Sequence, residues 1–511
     1  MLRPKTEPAE AASGVPSAEA PPPRAVTGRR RFVADSIAGL SAAALGSVAA
    51  GACRPASGVA AGVSPGPALA AAPSTPSASA PQRLVGPRWQ EPVGANDRVR
   101  VATIGMGIMG FKNSDAARRI PGVELVAVCD LYDGRLRRAR ELYGEALRTS
   151  KNSDEIMQDR SIDAVIVATG DHWHQALCLE ALRRGKAVYC EKPMVHRLDQ
   201  GLPLIEAARS SARPLQVGSQ RVSSIVYEKA RELYRAGSIG QLVVAEAHWD
   251  RQSALGAWQY SVPRDASPAT VDFERFLGNA PRVPFDALRF FRWRNYSDYG
   301  TGVAGDLFVH LFSGLHLITG SLGPTRIHAS GGLRYWRDGR DAADVMVGTY
   351  DYAETPEHPA FNLQLRVNLA DGGGGDQRIA LVGTEGEMLI DDRGLTVSQS
   401  RLPDAPGFGG WDTFETFDAK TQQEFAAWYA EHYRGKGSDK VVSQQRYEVE
   451  PGYSDHLDHH HRFIQAVRGG GVVVEDAAFG FRAAAAALAS NLSLAETRVI
   501  GWDPVAMRER A

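Results

Sequence analysis

Six residues, Gly105-Met106-Gly107-Ile108-Met109-Gly110, restrict this chain more than any other stretch. They follow an apolar run, Val99 to Ile104, and open a helical pattern that continues to about Arg119. A strand that turns at once into a helix needs a first glycine for the turn and a second where backbone approaches a ligand. A third is needed where helix packs on strand. The helix N-terminus behind such a turn favours a negative group such as a pyrophosphate. A second strand, Val123 to Cys129, ends at Asp130. That acid stands about 20 residues past the last glycine, the spacing of one that binds ribose hydroxyls. The glycine loop alone would be an ordinary turn, but between two strands and with the acid in place it predicts a Rossmann domain. Asp130 would repel a 2′-phosphate, which favours NAD; Arg135 nearby keeps NADP open. Gly105, Met106, Gly107, Ile108, Met109, Gly110 and Asp130 are the expected cofactor-binding residues.

Two further strand–helix units extend the pattern. Asp163 to Thr169 reads as a buried parallel strand, followed by a helix through Arg184. Ala187 to Glu191 is another strand, running into Lys192-Pro193. Parallel sheets bind ligands beyond the carboxyl ends of their strands. Thr169, His174, Glu191 and Lys192 fall there, and the domain is expected over residues 96–217.

What precedes it is a different kind of sequence. Gly28-Arg29-Arg30-Arg31-Phe32-Val33 opens a segment with no charge between Ser36 and Ala52, rich in Ala, Gly, Ser and Leu. This is the build of an export signal, and the paired arginines resemble the twin-arginine type, which carries folded proteins. The expectation is a signal over 1–53, recognition by the twin-arginine (Tat) export machinery, and a periplasmic location. Ala50-Gly51-Ala52-Cys53 also resembles a lipoprotein cleavage site, so Cys53 is a candidate for a lipid anchor facing the periplasm. Residues 54–95 are mostly Ala, Pro, Ser and Gly and are expected to form a flexible tether. Cys129, Cys178 and Cys190 sit in apolar segments and read as small buried hydrophobes. A formal net charge of −1 over 511 residues argues against a nucleic-acid partner.

After Arg221 the strand–helix alternation stops. Gln241 to Trp249, Thr325 to Tyr335, Asp344 to Tyr352 and Phe361 to Leu369 read as strands of a mainly antiparallel sheet. Asp371 to Asp376, with four glycines, reads as a hairpin connection, and Arg482 to Ser490 as a packed helix. Arg289 to Tyr296 interleaves cations with aromatics, which suits sugar stacking with arginines bonding hydroxyls or a carboxylate; sheet packing is the plainer alternative. His456, His459, His460 and His461 invite a metal reading. Successive helical side chains diverge by about 100°, so His459 to His461 cannot all face one ion. No metal is expected there, and a solvated or interface helix is.

The chain at this point resembles the glucose-fructose oxidoreductase/inositol dehydrogenase/rhizopine catabolism (Gfo/Idh/MocA) family. The resemblance rests on the glycine loop, Ala168-Thr169-Gly170-Asp171-His172-Trp173-His174, Glu191-Lys192-Pro193, Gly218-Ser219-Gln220-Arg221 and Asp306-Leu307-Phe308-Val309-His310, in that order. It implies an α/β N-terminal Rossmann domain with a parallel sheet. It further implies an α+β C-terminal domain, residues 218–511, with an open-faced, mainly antiparallel sheet that binds substrate and supports a homo-oligomer. By the same resemblance Gln220 joins the cofactor residues, Lys192 contacts nicotinamide ribose and substrate, His310 is the general base and Asp306 orients substrate. Residue chemistry agrees: on a helix, i and i+4 share a face. A histidine can take a hydroxyl proton and a lysine can stabilise the alkoxide. Gly170 stands where proline is frequent in the family, and the lead-in to Asp306 is less purely glycine than in many sugar dehydrogenases, which leaves the substrate open.

The implied activity is hydride transfer between NAD, or NADP, and a secondary alcohol of a sugar, polyol or sugar derivative. An exported enzyme would need tightly bound cofactor. Two alternatives stay beside it: an NAD-dependent glycoside hydrolase working by transient oxidation and elimination, and a catalytically silent carbohydrate-binding protein.

Overall fold

The computed structural model describes residues 77–78, 80–89, 94, 97–437 and 442–510. The signal-like segment, Cys53 and most of the linker lie outside the described residues. Two short strands, β1 (Ser77–Ala78) and β2 (Gln82–Leu84), precede the first domain and pair in the second sheet.

The first domain alternates strand and helix: β3 (Val99–Ile104), α1 (Ile108–Arg118), β4 (Val123–Cys129), α2 (Asp133–Tyr143), β5 (Arg148–Ser150), α3 (Ser153–Gln158), β6 (Ala164–Val167), α4 (His174–Arg183), β7 (Ala187–Cys190), α5 (Gly201–Ser211) and β8 (Leu215–Val217). All ladders are parallel, in the order β5-β4-β3-β6-β7-β8. Every residue of β6 and β7 is buried, as expected of strands covered on both faces by helices. Strand order reverses between β3 and β6, which opens a crevice beyond their carboxyl ends.

The rest of the chain supplies α6 (Ile225–Arg235), β9 (Leu242–Trp249), α7 (Phe273–Leu277), α8 (Ala287–Phe291), α9 (Val309–Thr319), β10 (Arg326–Gly332), β11 (Val345–Tyr352), β12 (Phe361–Asn368), β13 (Gln377–Gly383), β14 (Gly386–Asp391), β15 (Gly394–Ser400), α10 (Ala419–His432), β16 (Val442–Val449), α11 (Asp455–Val467), α12 (Ala477–Glu496), β17 (Ile500–Asp503) and β18 (Arg508–Glu509). Among the described residues they form a 12-stranded sheet, ordered β1-β16-β15-β14-β13-β9-β12-β11-β10-β17-β18 with β2 also on β16. The ladders are antiparallel except β9–β12, β1–β16 and β2–β16. The fold is therefore a parallel-sheet Rossmann domain followed by a large, mainly antiparallel sheet domain.

Burial alternates along β12 and the first five residues of β10; in β12 Asn362, Gln364 and Arg366 are exposed and Phe361, Leu363 and Leu365 buried. One face of the sheet thus lies on helices and the other is bare. Against the inner face, buried Ala483 to Ala487 of α12 allow that helix to approach β10 and α9 closely.

Two readings change here, and one is narrowed. The glycine-rich Asp371–Asp376 connection is not a hairpin: β9 lies between β12 and β13, so the chain crosses over it. The described end of the linker is docked rather than a free tether, because β2 adds a parallel strand to β16 and Trp89 anchors on α11. Its Nε1 donates to Asp458 Oδ1 at 2.6 Å and its ring stacks on His461 at 4.7 Å. Of the two readings left for α11, solvated or interface helix, the second is the one the structure shows. His459 and His460 are fully buried: His459 joins the Ser223 hydroxyl (2.7 Å) and the Val217 carbonyl (2.9 Å), and His460 stacks on Tyr189 at 4.3 Å. They form an interface between α11 and the first domain.

Candidate active site

A cleft of about 740 Å³ runs from the glycine loop to α9, within the ~300–1,000 Å³ of ligand pockets. One end is built by the β3–α1 turn. Gly105 has φ +92°, and a Cβ there would meet the Ala168 carbonyl oxygen at 2.5 Å. A Cβ on Gly110 would stand 1.9 Å from the Gly105 oxygen, so only glycine lets α1 sit on the turn. Nothing lies within 4 Å of a Cβ position on Gly107, which faces the cleft at the α1 N-terminus and leaves room for a ligand against backbone. Ile108 and Met109 line the cleft, whereas the Met106 side chain is wholly buried beneath it.

Asp130 closes this end. It is buried, with Oδ2 accepting from the Met106 N–H (2.7 Å) and Oδ1 from the Tyr132 N–H (2.9 Å). Each oxygen keeps acceptor capacity for a hydroxyl. Arg135 approaches Asp130 at 3.4 Å while its guanidinium lies 5.3 Å from the Phe291 ring centre. The open space at Gly107, the α1 N-terminus and the held carboxylate together fit a dinucleotide.

The strand ends supply the middle. Thr169 lines the cleft, but His174 is an internal tie: its Nδ1 faces the Pro193 carbonyl at 2.7 Å and its Nε2 the Thr169 carbonyl at 3.3 Å. Burial pushes its pKa down, and a neutral ring donates from one nitrogen only, here Nδ1 to the nearer Pro193 carbonyl, while Nε2 lies against the Thr169 carbonyl. Glu191 is buried, which pushes its carboxyl pKa up, and its Oε1 accepts from Asn113 Nδ2 (2.8 Å) and Gln220 Nε2 (3.2 Å). Asn113 Oδ1 faces His456 Nε2 at 2.7 Å and His460 Nε2 at 3.2 Å, so α11 braces this network from behind.

At the far end Lys192, Asp306 and His310 meet. Lys192 Nζ donates to Asp306 Oδ1 and to the Asp306 carbonyl, each at 2.8 Å. Arg294 Nε reaches the same Oδ1 at 3.1 Å and its guanidinium lies 4.2 Å from the Trp293 ring centre. Burial raises the carboxyl pKa of Asp306, but Lys192 and Arg294 outweigh it and hold Asp306 far below the usual range. The backbone here is one π turn, Ala304–Phe308, running into α9, so both Asp306 and His310 still face the cleft. His310 is buried among cations: desolvation first, then Lys192 and Arg221, drive its pKa well below that of a free histidine, with Asp306 opposing. Its ring rests on Trp249 at 5.3 Å. Nδ1 is enclosed without a partner, leaving Nε2 as the nitrogen open to a ligand.

Sequence reasoning missed Arg221, Trp249, Arg251, Tyr260 and Arg294 as cleft residues. Arg294 carried a signal, as the cation of the Arg289–Tyr296 run beside Asp306. Arg289 and Arg292 of that run are structural, held by Asp298 and by the Tyr260 carbonyl. Trp249 and Arg251 stand at and just past the end of β9, a position that only the pairing of β9 between β12 and β13 reveals.

The fold and cleft thus define a two-domain protein with an NAD-type Rossmann unit and an open-sheet domain. Residues 99–219 match the Gfo/Idh/MocA family model, described as the oxidoreductase family with an NAD-binding Rossmann fold. Inositol 2-dehydrogenase 3 of Saccharopolyspora erythraea is 34% identical over 149 residues, 29% of this chain and 44% of that protein. The NAD(+)-type scyllo-inositol 2-dehydrogenase of Bacillus subtilis is 32% identical over 146 residues, 28% of this chain and 42% of that protein. The chain spans about half the length, or less, of the curated relatives it matches. Among solved structures, levoglucosan dehydrogenase with NADH and levoglucosan superposes with TM-score 0.55 at 16% identity, covering 79% of this chain and 99% of that one. The WlbA dehydrogenase of Bordetella pertussis, with NADH and UDP-GlcNAcA, gives TM-score 0.56 at 15% identity, covering 80% and 99%. At such identities these two establish the fold.

Proposed function

We propose that this protein is an NAD-dependent oxidoreductase that moves hydride between the nicotinamide and a secondary alcohol of a sugar, polyol or sugar derivative. The observation that carries this reading is the meeting of Lys192, Asp306 and His310 in the same cleft that begins at the Gly105–Gly110 turn and Asp130. Names among the relatives, inositol and levoglucosan dehydrogenases, point to the same substrate class. The backbone at Gly107 and the α1 N-terminus would hold the pyrophosphate and Asp130 the adenosine ribose. Thr169, Glu191, Lys192 and Gln220 border the space left for nicotinamide and its ribose. When bound, the cofactor supplies the hydride acceptor.

The chain's own residues handle the proton and the charge. Neutral His310 accepts the hydroxyl proton at Nε2, and Lys192 stabilises the oxygen as negative charge develops. Asp306 holds the Lys192 side chain in place, and Arg294 holds Asp306 from the other side. Trp249, Trp293 and Tyr260 offer flat faces against which a sugar ring can lie.

The N-terminal reading belongs with this proposal: a twin-arginine signal over 1–53 would deliver a folded, cofactor-loaded protein to the periplasm, with Cys53 as a candidate lipid anchor. Cofactor kept bound after export fits that route. The bare face of the large sheet supports a homo-oligomer, since exposed sheet surface is usually covered. To test the function, the exported protein is purified and denatured, and released NAD(H) is assayed; native protein is then given mixed polyols, sugars and glycosides. Stoichiometric change of bound NAD(H) by a sugar is expected. Glycoside cleavage without net redox change would assign the hydrolase instead, and no binding of NAD would refute the proposal.

A further inference from the structure

The substrate end of the cleft has an unbalanced charge. Lys192 and Arg294 share one buried carboxylate, Asp306. Arg221 is part-compensated: it donates to the neutral Gln377 at 3.0 Å and approaches Asp392, two-thirds exposed, at 3.4 Å. Arg251 has no carboxylate among the described residues and donates only to the Gly256 carbonyl at 3.0 Å. Both guanidiniums lie over the same indole, Trp249, with ring-centre distances of 5.0 Å for Arg221 and 5.7 Å for Arg251. That indole rests on His310. Cation–π contact stabilises a guanidinium but does not neutralise it. Four cations, Lys192, Arg294, Arg221 and Arg251, thus face two carboxylates, Asp306 and Asp392, so about two positive charges are left where substrate must lie, and Arg251 is the cation with no acid partner of its own.

We infer that the substrate is an acidic sugar or cyclitol, such as a uronate or aldonate, whose single carboxylate is held by Arg251 with Arg221 beside Trp249. This inference rests on the proposed oxidoreductase reading and narrows its substrate class. Guanidinium binds carboxylate through paired, charge-assisted hydrogen bonds, and such a bond is strongest where water is excluded. A substrate carboxylate gives Arg251 the acid partner that Lys192, Arg294 and Arg221 already have in the protein. The geometry adds a consequence for the base. Lys192, Arg221 and Arg251 all disfavour a proton on His310, and only Asp306 favours one. A carboxylate on Arg251 offsets part of this field, so binding of the acid strengthens His310 as a proton acceptor.

The test uses the full NAD-loaded chain and matched ligands: glucuronate against glucose, galacturonate against galactose, gluconate against glucitol, and glucose 6-phosphate. Initial rates of NADH formation and calorimetric Kd values are measured for each. At least one acid is expected to bind and turn over about tenfold or more better in kcat/KM than its neutral partner. Arg251→Gln is expected to raise KM for that acid more than it lowers kcat and to shrink the acid-to-neutral ratio; Arg251→Lys keeps part of it. Equal kcat/KM for acids and neutral sugars, or preference for the phosphate, overturns the inference while leaving the oxidoreductase standing. Absence of any NADH formation refutes the oxidoreductase reading, and the calorimetric arm still decides this one: acids that bind no better than neutral sugars, or bind equally to Arg251→Gln, overturn it.

Discussion

Asp306→Asn should separate the electrostatic role of Asp306 from its shape. The carboxylate serves two cations through one oxygen, Lys192 at 2.8 Å and Arg294 at 3.1 Å, and the three side chains are only 9%, 22% and 13% exposed for Lys192, Arg294 and Asp306. At an effective dielectric of about 20, each contact carries roughly 5–6 kcal/mol of Coulomb attraction before desolvation is set against it. Asparagine retains the volume and removes the charge, leaving two buried cations facing each other. Loss of one partner from a buried pair costs about 3–5 kcal/mol, and that is the expected loss of unfolding free energy at pH 7. The assay is urea unfolding of the NAD-free protein followed by tryptophan fluorescence. Adding Arg294→Met removes one orphaned cation and is expected to recover a large part of the loss. The folded-state pKa of Asp306 is depressed, so its contribution is present above the unfolded value near 3.8 and is lost only as pH falls through the lower folded value. The difference between wild type and Asp306→Asn should then stay level from pH 8 to pH 5. A single variant within about 1 kcal/mol of wild type, or a double variant less stable than the single, would refute the reasoning.

Glu475 is buried with Oε2 unpartnered, and burial pushes its pKa up to about 8. An acid raised above its unfolded value of 4.5 costs stability increasingly as pH rises from about 5 to 8, so Glu475→Gln should be more stable than wild type at pH 8, by a few kcal/mol, and nearly equal at pH 5; thermal unfolding at the two pH values checks the crossover. His310 is held neutral well below pH 6.5, so the acidic limb of kcat/KM for a neutral sugar should fall below that pH, as a pH–rate profile would show. Gly110→Ala places a methyl group 1.9 Å from the Gly105 oxygen, so NAD binding should fall by at least about 100-fold, measured by fluorescence titration alongside circular dichroism to confirm folding. Asp130→Ala should weaken NAD and narrow its advantage over NADP, because Arg135 then faces the 2′ position without its carboxylate; the two Kd values decide it.

The first domain was legible because its determinants are local. The Gly105–Gly110 turn, the buried β6 and β7, and Asp130 at a fixed distance each impose a conformation or position on their own neighbours, and the structure places them together. The catalytic candidates needed the family resemblance, since Lys192 and Asp306 are separated by 114 positions and nothing local to either points to the other. Strands β9 to β12 were visible through alternation. Their order was not: the position of β9 between β12 and β13 is a contest among long-range pairings, and a glycine-rich connection is compatible with either outcome. Trp249 and Arg251 came into the cleft only through that outcome.

The histidines of α11 show why burial defeats a reading by composition. Four histidines on one amphipathic helix leave a wet face, an interface or a metal open, and His459 and His460 lie in a buried interface, His459 between the Ser223 hydroxyl and the Val217 carbonyl and His460 on Asn113 and Tyr189. Burial lowers the pKa of both, so neither carries charge into the interior. The same helix faces two ways. Toward the cleft, His456 and His460 hold the Asn113 carbonyl oxygen, which turns the Asn113 amide toward Glu191. Outward, Asp458 and His461 hold Trp89 of the docked linker. Trp89 of the linker and Asn113 at the cofactor cleft are therefore attached to one helix. A linker that reads as pure tether in composition thus has Trp89 docked on α11, and no local pattern in residues 54–95 could have shown it, because its anchor lies 369 positions away.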